Sequence, residues 1–247
     1  MLNEPTNEKL YEMRLSAMAE AWLMQQKDPN LGALSFDDRF ALLVDAEHQA
    51  RDNRRLSRLL KDADLRIPNA CIEDVKVSPG RGLDKAMVRQ LGSCTWIAEH
   101  LNVLITGFTG VGKSYLASAL GQAACRKGLR VCYRRVPRLF DELTLARADG
   151  SYARVLARLA KADVLILDDL GLGTPKESQR NDLLEVLEDR YGRVSTVVTS
   201  QLAVKKWHEW IGDPTIADAI LDRVVHNAYK FDLTGPSGRK EKGTEKH

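Results

Sequence analysis

The stretch Leu101-Asn102-Val103-Leu104-Ile105-Thr106-Gly107-Phe108-Thr109-Gly110-Val111-Gly112-Lys113-Ser114 decides the fold. Its apolar positions Leu101, Val103, Leu104 and Ile105 read as a short buried strand. Gly107 to Ser114 then matches G-x-x-x-x-G-K-[ST], a loop whose glycines let backbone N–H groups turn inward around a phosphate chain. A helical run follows, closed by Gly128, and its start near Lys113 aims the positive end of its dipole at the same anion. Gly107, Phe108, Thr109, Gly110, Val111, Gly112, Lys113, Ser114 and the adjoining Tyr115 are therefore the candidate nucleotide-binding residues. Lys113 is expected to reach the β and γ oxygens of ATP, and the Ser114 hydroxyl to ligate Mg²⁺.

About 50 residues on, Val164-Leu165-Ile166-Leu167-Asp168-Asp169 reads as a buried parallel strand delivering carboxylates to its C-terminal end, where ligands bind in open α/β sheets. Asp168 is expected to hold the Mg²⁺ and Asp169 to polarise the attacking water. The β-branched run Val194 to Ser200 is a further strand, ending in Thr199-Ser200-Gln201. That polar trio is placed to sense the γ-phosphate or orient water, or simply to cap the following helix.

The chain has 247 residues, 44% of them hydrophobic and 29% charged, which suits an α/β domain with an appendage and excludes global disorder. A net charge of +3 is too mild to argue for nucleic acid, so local clusters must carry that point. Cys71, Cys94, Cys125 and Cys132 form no C-x-x-C pair and have no histidine at metal spacing, and are read as free thiols. With no signal-peptide pattern at the N-terminus and no run of 18 apolar residues, a cytoplasmic protein off the membrane is expected.

Residues 1–62 lack strand patterning and are read as a separate helical module. Tyr11, Leu15, Met18 and Trp22 predict one amphipathic helix over 8–26, and Ser35 with Asp38 a cap for a long helix toward Leu60. Arg54, Arg55 and Arg58 on that helix are either a solvated face or an arm on DNA phosphates. A connector rich in Pro and Gly, Ile67 to Gly82, leads to a helix from Leu83 and the ATPase domain, 63–240. From Arg126 to Arg138 the chain holds six basic residues and no acidic one, and Arg130, Arg134, Arg135 and Arg138 are candidates for a ridge along duplex DNA. Thr174-Pro175-Lys176-Glu177 predicts a capping box with Pro175 at the first helical position, and Asp213-Pro214 opens a helix carrying Arg223. A last strand, Tyr229 to Leu233, precedes a tail read as disordered over 241–247.

These landmarks, in this order, resemble the IstB-like family of ATP-binding proteins, helpers of insertion-sequence transposition close to the DnaC replicative helicase loaders and within the AAA+ ATPases. The resemblance spans nearly the whole chain, through Arg54-Arg55-Leu56, Arg81-Gly82-Leu83-Asp84, Trp96-Ile97, the phosphate loop with Tyr115-Leu116-Ala117, Pro137 to Phe140, Leu165 to Asp169, Asp189 to Gly192, Thr199 to Leu202, and Gly212 to Thr215 on to Asp222-Arg223. It implies an AAA+ P-loop fold, a three-layer α/β/α parallel sheet with a small N-terminal helical domain and a truncated or absent C-terminal lid. It also implies that Gln201 is a sensor and that Arg223 is a finger entering a neighbouring subunit's site. Asp169 stands where AAA+ hydrolases usually have Glu, implying slow turnover; Arg239 and Lys240 are the candidates for a second sensor.

The function expected is that of an ATPase that assembles as an ATP-bound oligomer on duplex DNA, with little sequence preference, and recruits an IstA-like transposase. A DnaC-type helicase loader is the alternative. A small-molecule P-loop kinase would need a substrate domain and an Arg-rich lid, and neither is evident.

Overall fold

A computed structural model describes residues 4–77 and 80–235. Arg239, Lys240 and residues 241–247 lie outside the described residues. Contacts divide the chain into two units, Met1–Arg58 and Leu59–His247.

The first unit holds α1 (Glu4–Glu12), α2 (Ser16–Gln25) and most of α3 (Phe36–Ala63). The single helix expected over 8–26 is instead two, broken where Arg14 takes a positive φ of 60°. The break has a tertiary cause. Leu15 has no side-chain cap for α2, and the Glu47 carboxylate from α3 accepts from the Ala17 and Met18 N–H groups at 3.0 and 3.2 Å. Glu47 is buried and also takes Arg51 Nε at 2.9 Å and Arg54 Nη2 at 3.1 Å. Burial pushes its pKa up, but the hydrogen bonds from Arg51, Met18 and Ala17 outweigh it and hold the carboxyl below its usual range. At the start of α3, Ser35 Oγ accepts from the Asp38 N–H at 3.2 Å, the cap read from the sequence.

The second unit is built on a parallel sheet in the order β2-β3-β4-β1-β5, with β1 (Asn102–Gly107), β2 (Val131–Arg135), β3 (Val164–Leu170), β4 (Ser195–Ser200) and β5 (Ala228–Leu233). The helices are α4 (Lys85–Gly92), α5 (Thr95–Ala98), α6 (Lys113–Arg126), α7 (Val136–Ala148), α8 (Tyr152–Ala160), α9 (Glu177–Glu188), α10 (Trp207–Ile211) and α11 (Pro214–Val225). The central strands are continuous aliphatic runs because both faces are covered: Val103, Leu104, Ile105, Val164, Leu165 and Ile166 are fully buried. Pro214 opens α11 as expected, with Asp213 Oδ1 accepting from the Ile216 N–H at 2.9 Å. Helix α9, by contrast, starts at Glu177 rather than Pro175. Gln179 Oε1 accepts from the Lys176 N–H at 2.9 Å, so the cap sits two residues later than the Thr174 pattern implied.

The connector before α4 runs against β5, where the Thr234 N–H donates to the Arg81 carbonyl at 3.2 Å. Gly82 (φ 74°) and Gly107 (φ 137°) permit this approach, since a Cβ at either would overlap the carbonyl oxygen of Asp232 or Leu233. Among the described residues no helix follows β5, and no helix is long and apolar enough to cross a membrane.

Arg190 is fully buried, and its guanidinium donates to the carbonyls of Leu159 (2.6 Å), Ala162 (2.9 Å) and Ser195 (2.5 Å) and to Thr196 Oγ1 (3.2 Å). It staples the ends of α8 and β4 together. Arg190→Met should remove the guanidinium from three buried carbonyls and cost about 3 kcal/mol or more, read as a lower urea midpoint at unchanged slope. A loss under about 1 kcal/mol would show that water replaces the guanidinium.

Candidate nucleotide site

Strands β2 and β4 and the start of α6 meet around one carboxylate of β3. Asp168, at the end of β3, is fully buried. Ser114 Oγ lies 2.9 and 3.0 Å from its two oxygens, Tyr133 OH donates to Oδ2 at 2.5 Å, Thr199 Oγ1 donates to Oδ1, and Arg66 Nη1 reaches Oδ2 at 2.8 Å. Burial pushes the Asp168 pKa up, yet the hydrogen bonds from Thr199, Tyr133, Arg66 and Ser114 win and hold it below the usual carboxylate range. Tyr133 is driven the other way, by its own burial and by donating to that carboxylate.

Adjacent residues on a strand point to opposite faces, so a regular β3 could not present Asp168 and Asp169 together. The register with β4 slips between Leu167 and Leu170, and Asp169 takes φ 63°. This bulge turns Asp169 back toward the site. Its Oδ2 is then held by Arg66 Nη1 at 3.1 Å and Arg135 Nε at 3.0 Å, while its N–H donates to Thr199 Oγ1 at 3.1 Å.

After β1, Gly110 and Gly112 have positive φ, and Lys113 lies along the loop, donating to the carbonyls of Gly107 (2.7 Å) and Phe108 (2.9 Å). Thr109 Oγ1 donates to Gln201 Oε1 at 2.9 Å, which brings the last residue of the polar trio onto the loop. The loop opens on a cavity of about 540 Å³, lined also by Tyr115, Arg135 and Asp169, the size of a small-molecule site. Ser114 Oγ and the Asp168 carboxylate are hard oxygen donors that suit Mg²⁺, and the Arg66 cation beside both shows that the position favours positive charge. Among the described residues no three His, Cys, Asp or Glu cluster for a metal, so water and phosphate oxygens would complete a Mg²⁺ shell here.

Arg223 is not here. Asn102, at the start of β1, donates through Nδ2 to the Arg223 carbonyl at 3.1 Å, so Arg223 stands at the opposite end of that strand from the phosphate loop. Its guanidinium pairs with Glu188 and lies over the Tyr191 ring.

The basic run from Arg126 to Arg138 does not form the bare ridge expected. Carboxylates from outside the run fold onto it: Arg126 meets Glu73, Arg130 meets Asp163, Arg134 meets Glu142, and Arg135 belongs to the cavity through Asp169. Arg138 is exposed, as are Arg54, Arg55 and Arg58 on α3, and Arg54 pairs with Glu47. Sequence reasoning missed Arg66, Tyr133 and the role of Arg135; only the place of Arg135 at the end of a strand beside the acidic one signalled it.

Fold and site define a nucleotide-binding protein of the AAA+ P-loop fold. The family model of the IstB-like ATP binding proteins matches residues 8–246, and the chain belongs to that family. It is 50% identical over 97% of its length, and 98% of the relative's, to y4pL of Sinorhizobium fredii, which is named as an insertion sequence ATP-binding protein. It is 48% identical to the similarly named protein of insertion sequence IS1162 from Pseudomonas fluorescens, covering 82% of this chain and 87% of that one. Among solved structures it is similar in fold to the DnaC helicase loader, with a TM-score of 0.52 and 19% identity over 67% of this chain and 97% of that one.

A carboxyl whose folded pKa is lowered adds stability above its unfolded value, about 3.9, and loses it as pH falls through the folded value. Tyr133→Phe removes one donor to Asp168 and should cost about 1–3 kcal/mol at pH 7. The gap to wild type should narrow as pH drops below about 4. Denaturation across that range checks it, and a gap independent of pH would show that Tyr133 does not act through the carboxylate.

Proposed function

We propose that this chain is an ATP-dependent helper of DNA transposition, which binds ATP with Mg²⁺, assembles as an oligomer on duplex DNA and recruits or activates an IstA-like transposase. Hydrolysis resets the assembly. The observation that carries this reading is the separation of parts: Lys113, Ser114, Asp168, Asp169 and Gln201 meet at one end of the sheet, while Arg223 stands at the other. Six residues of strand lie between, on the order of 17 Å, so Arg223 cannot serve its own site. A neighbour's phosphates are within its reach only if the site is composite.

Each residue has a part that its surroundings support. The loop N–H groups and Lys113 hold the phosphates; Ser114 and Asp168 hold the cation. Bound Mg²⁺ would neutralise charge gathering on the β and γ oxygens. Gln201, tethered to Thr109, is set to orient the attacking water or sense the γ-phosphate, and Asp169 to polarise that water. With Asp169 clamped by two arginines and one methylene shorter than Glu, turnover is slow, as suits a switch.

Duplex DNA is met by exposed cations such as Arg55, Arg58, Arg130 and Arg138, through phosphates and with little sequence preference. Such a protein works in the cytoplasm, where ATP and the target DNA are.

The test is particle mass with and without a slowly hydrolysed ATP analogue, on duplex and single-stranded DNA of equal length. Large assemblies that need both nucleotide and duplex are expected; a monomer indifferent to DNA, or one that grows only with replicative helicase, overturns the reading. Lys113→Ala should weaken nucleotide binding by roughly 100-fold. Arg223→Ala should bind normally but hydrolyse on the order of 10³-fold more slowly. Mixing the two inactive variants should restore part of the activity, because each lends the other its intact half of a shared site. No recovery in the mixture would contradict action in trans.

A further inference from the structure

We propose that Arg66 is a gate for the divalent cation: its guanidinium and the metal compete for one position, and loading of the site expels it. The inference rests on the nucleotide reading above. One atom, Arg66 Nη1, lies 2.8 Å from Asp168 Oδ2, 3.1 Å from Asp169 Oδ2 and 3.3 Å from Ser114 Oγ. These are the oxygens that would ligate Mg²⁺ or the water beside it. Ser114 Oγ is itself within 3.0 Å of both Asp168 oxygens, so the three groups enclose one small space.

A Mg²⁺ held by Ser114 Oγ and the Asp168 carboxylate would draw on the same oxygens that Nη1 now occupies, and two positive charges there would repel. Both cannot stay. Arg66 has a way out, since its side chain is 32% exposed while Asp168 is fully buried. Its departure would not leave Asp169 bare, because Arg135 holds the same Oδ2 at 3.0 Å. Two arginines on one carboxylate thus divide the work: Arg135 stays on Asp169 and Arg66 yields to the metal.

The consequence reaches the connector. Arg66 follows the last residue of α3 (Ala63) within three residues, and Asp64 between them has φ 53°. The side chain that reports the cation is therefore carried by the backbone that joins the ATPase core to the long helix.

The experiment is a Mn²⁺ titration followed by electron paramagnetic resonance, at saturating ADP, on the full chain. Arg66→Ala should lower the Mn²⁺ concentration at half-saturation by about fivefold or more, since a competitor has been removed from the site. Arg66→Lys, which keeps a charge within reach, should fall between Arg66→Ala and wild type. Arg66→Gln, which keeps the stem, repeats the reading if the alanine variant melts without a cooperative transition. Equal or higher midpoints in a folded Arg66→Ala or Arg66→Gln protein, beside a wild type that binds ADP, overturn the gate alone. A wild type that binds ADP neither with nor without Mn²⁺ overturns the nucleotide reading and the gate with it.

Discussion

The structure of the second unit depends on one buried carboxylate. Asp168 has no contact with solvent, and an unpaired carboxylate there would cost several kcal/mol. It is tolerated because β2 supplies Tyr133, β4 supplies Thr199, α6 supplies Ser114 and the connector supplies Arg66. The same four groups fix the relative heights of three strands and the helix that opens the phosphate loop. On the proposed function the same atoms would also hold the cation, so stability and activity would draw on one donor set.

The second constraint is backbone geometry. Alternation along β3 would send Asp169 to the far face of the sheet, and a left-handed residue in a bulge prevents it. Aspartate adopts that conformation more readily than most side chains, which gives a physical reason for Asp at this position besides any catalytic one. A longer acid there would also have to find room beneath Arg66 and Arg135.

Much of this was legible in the chain itself. Aliphatic runs ending in Gly or Asp, with Pro or Asp at helix starts, mark β1, β3 and α11 because burial on both faces and fixed φ leave local signatures. The phosphate loop, Asp168, Asp169 and Gln201 were read together because each closes a strand. What the sequence hides is long-range pairing. Arg66 lies 102 positions from Asp168 and sits in an unremarkable connector, so no periodicity points to it. The basic run from Arg126 to Arg138 looked unopposed because its carboxylates, Glu73, Glu142, Asp163 and Asp169, arrive from other elements. The break between α1 and α2 was invisible for the same reason, since the acceptor that caps α2 is Glu47 from α3.

The most direct measurement of the central claim is the binding of a non-hydrolysable ATP analogue to wild type and Asp168→Asn, with Mg²⁺ and with chelator. Asparagine keeps the shape and one acceptor oxygen but removes the charge. If Asp168 is the group through which the fold holds the cation, Mg²⁺ should tighten binding in wild type and leave Asp168→Asn unchanged, with chelated affinities alike. An equal gain from Mg²⁺ in both proteins would contradict the account.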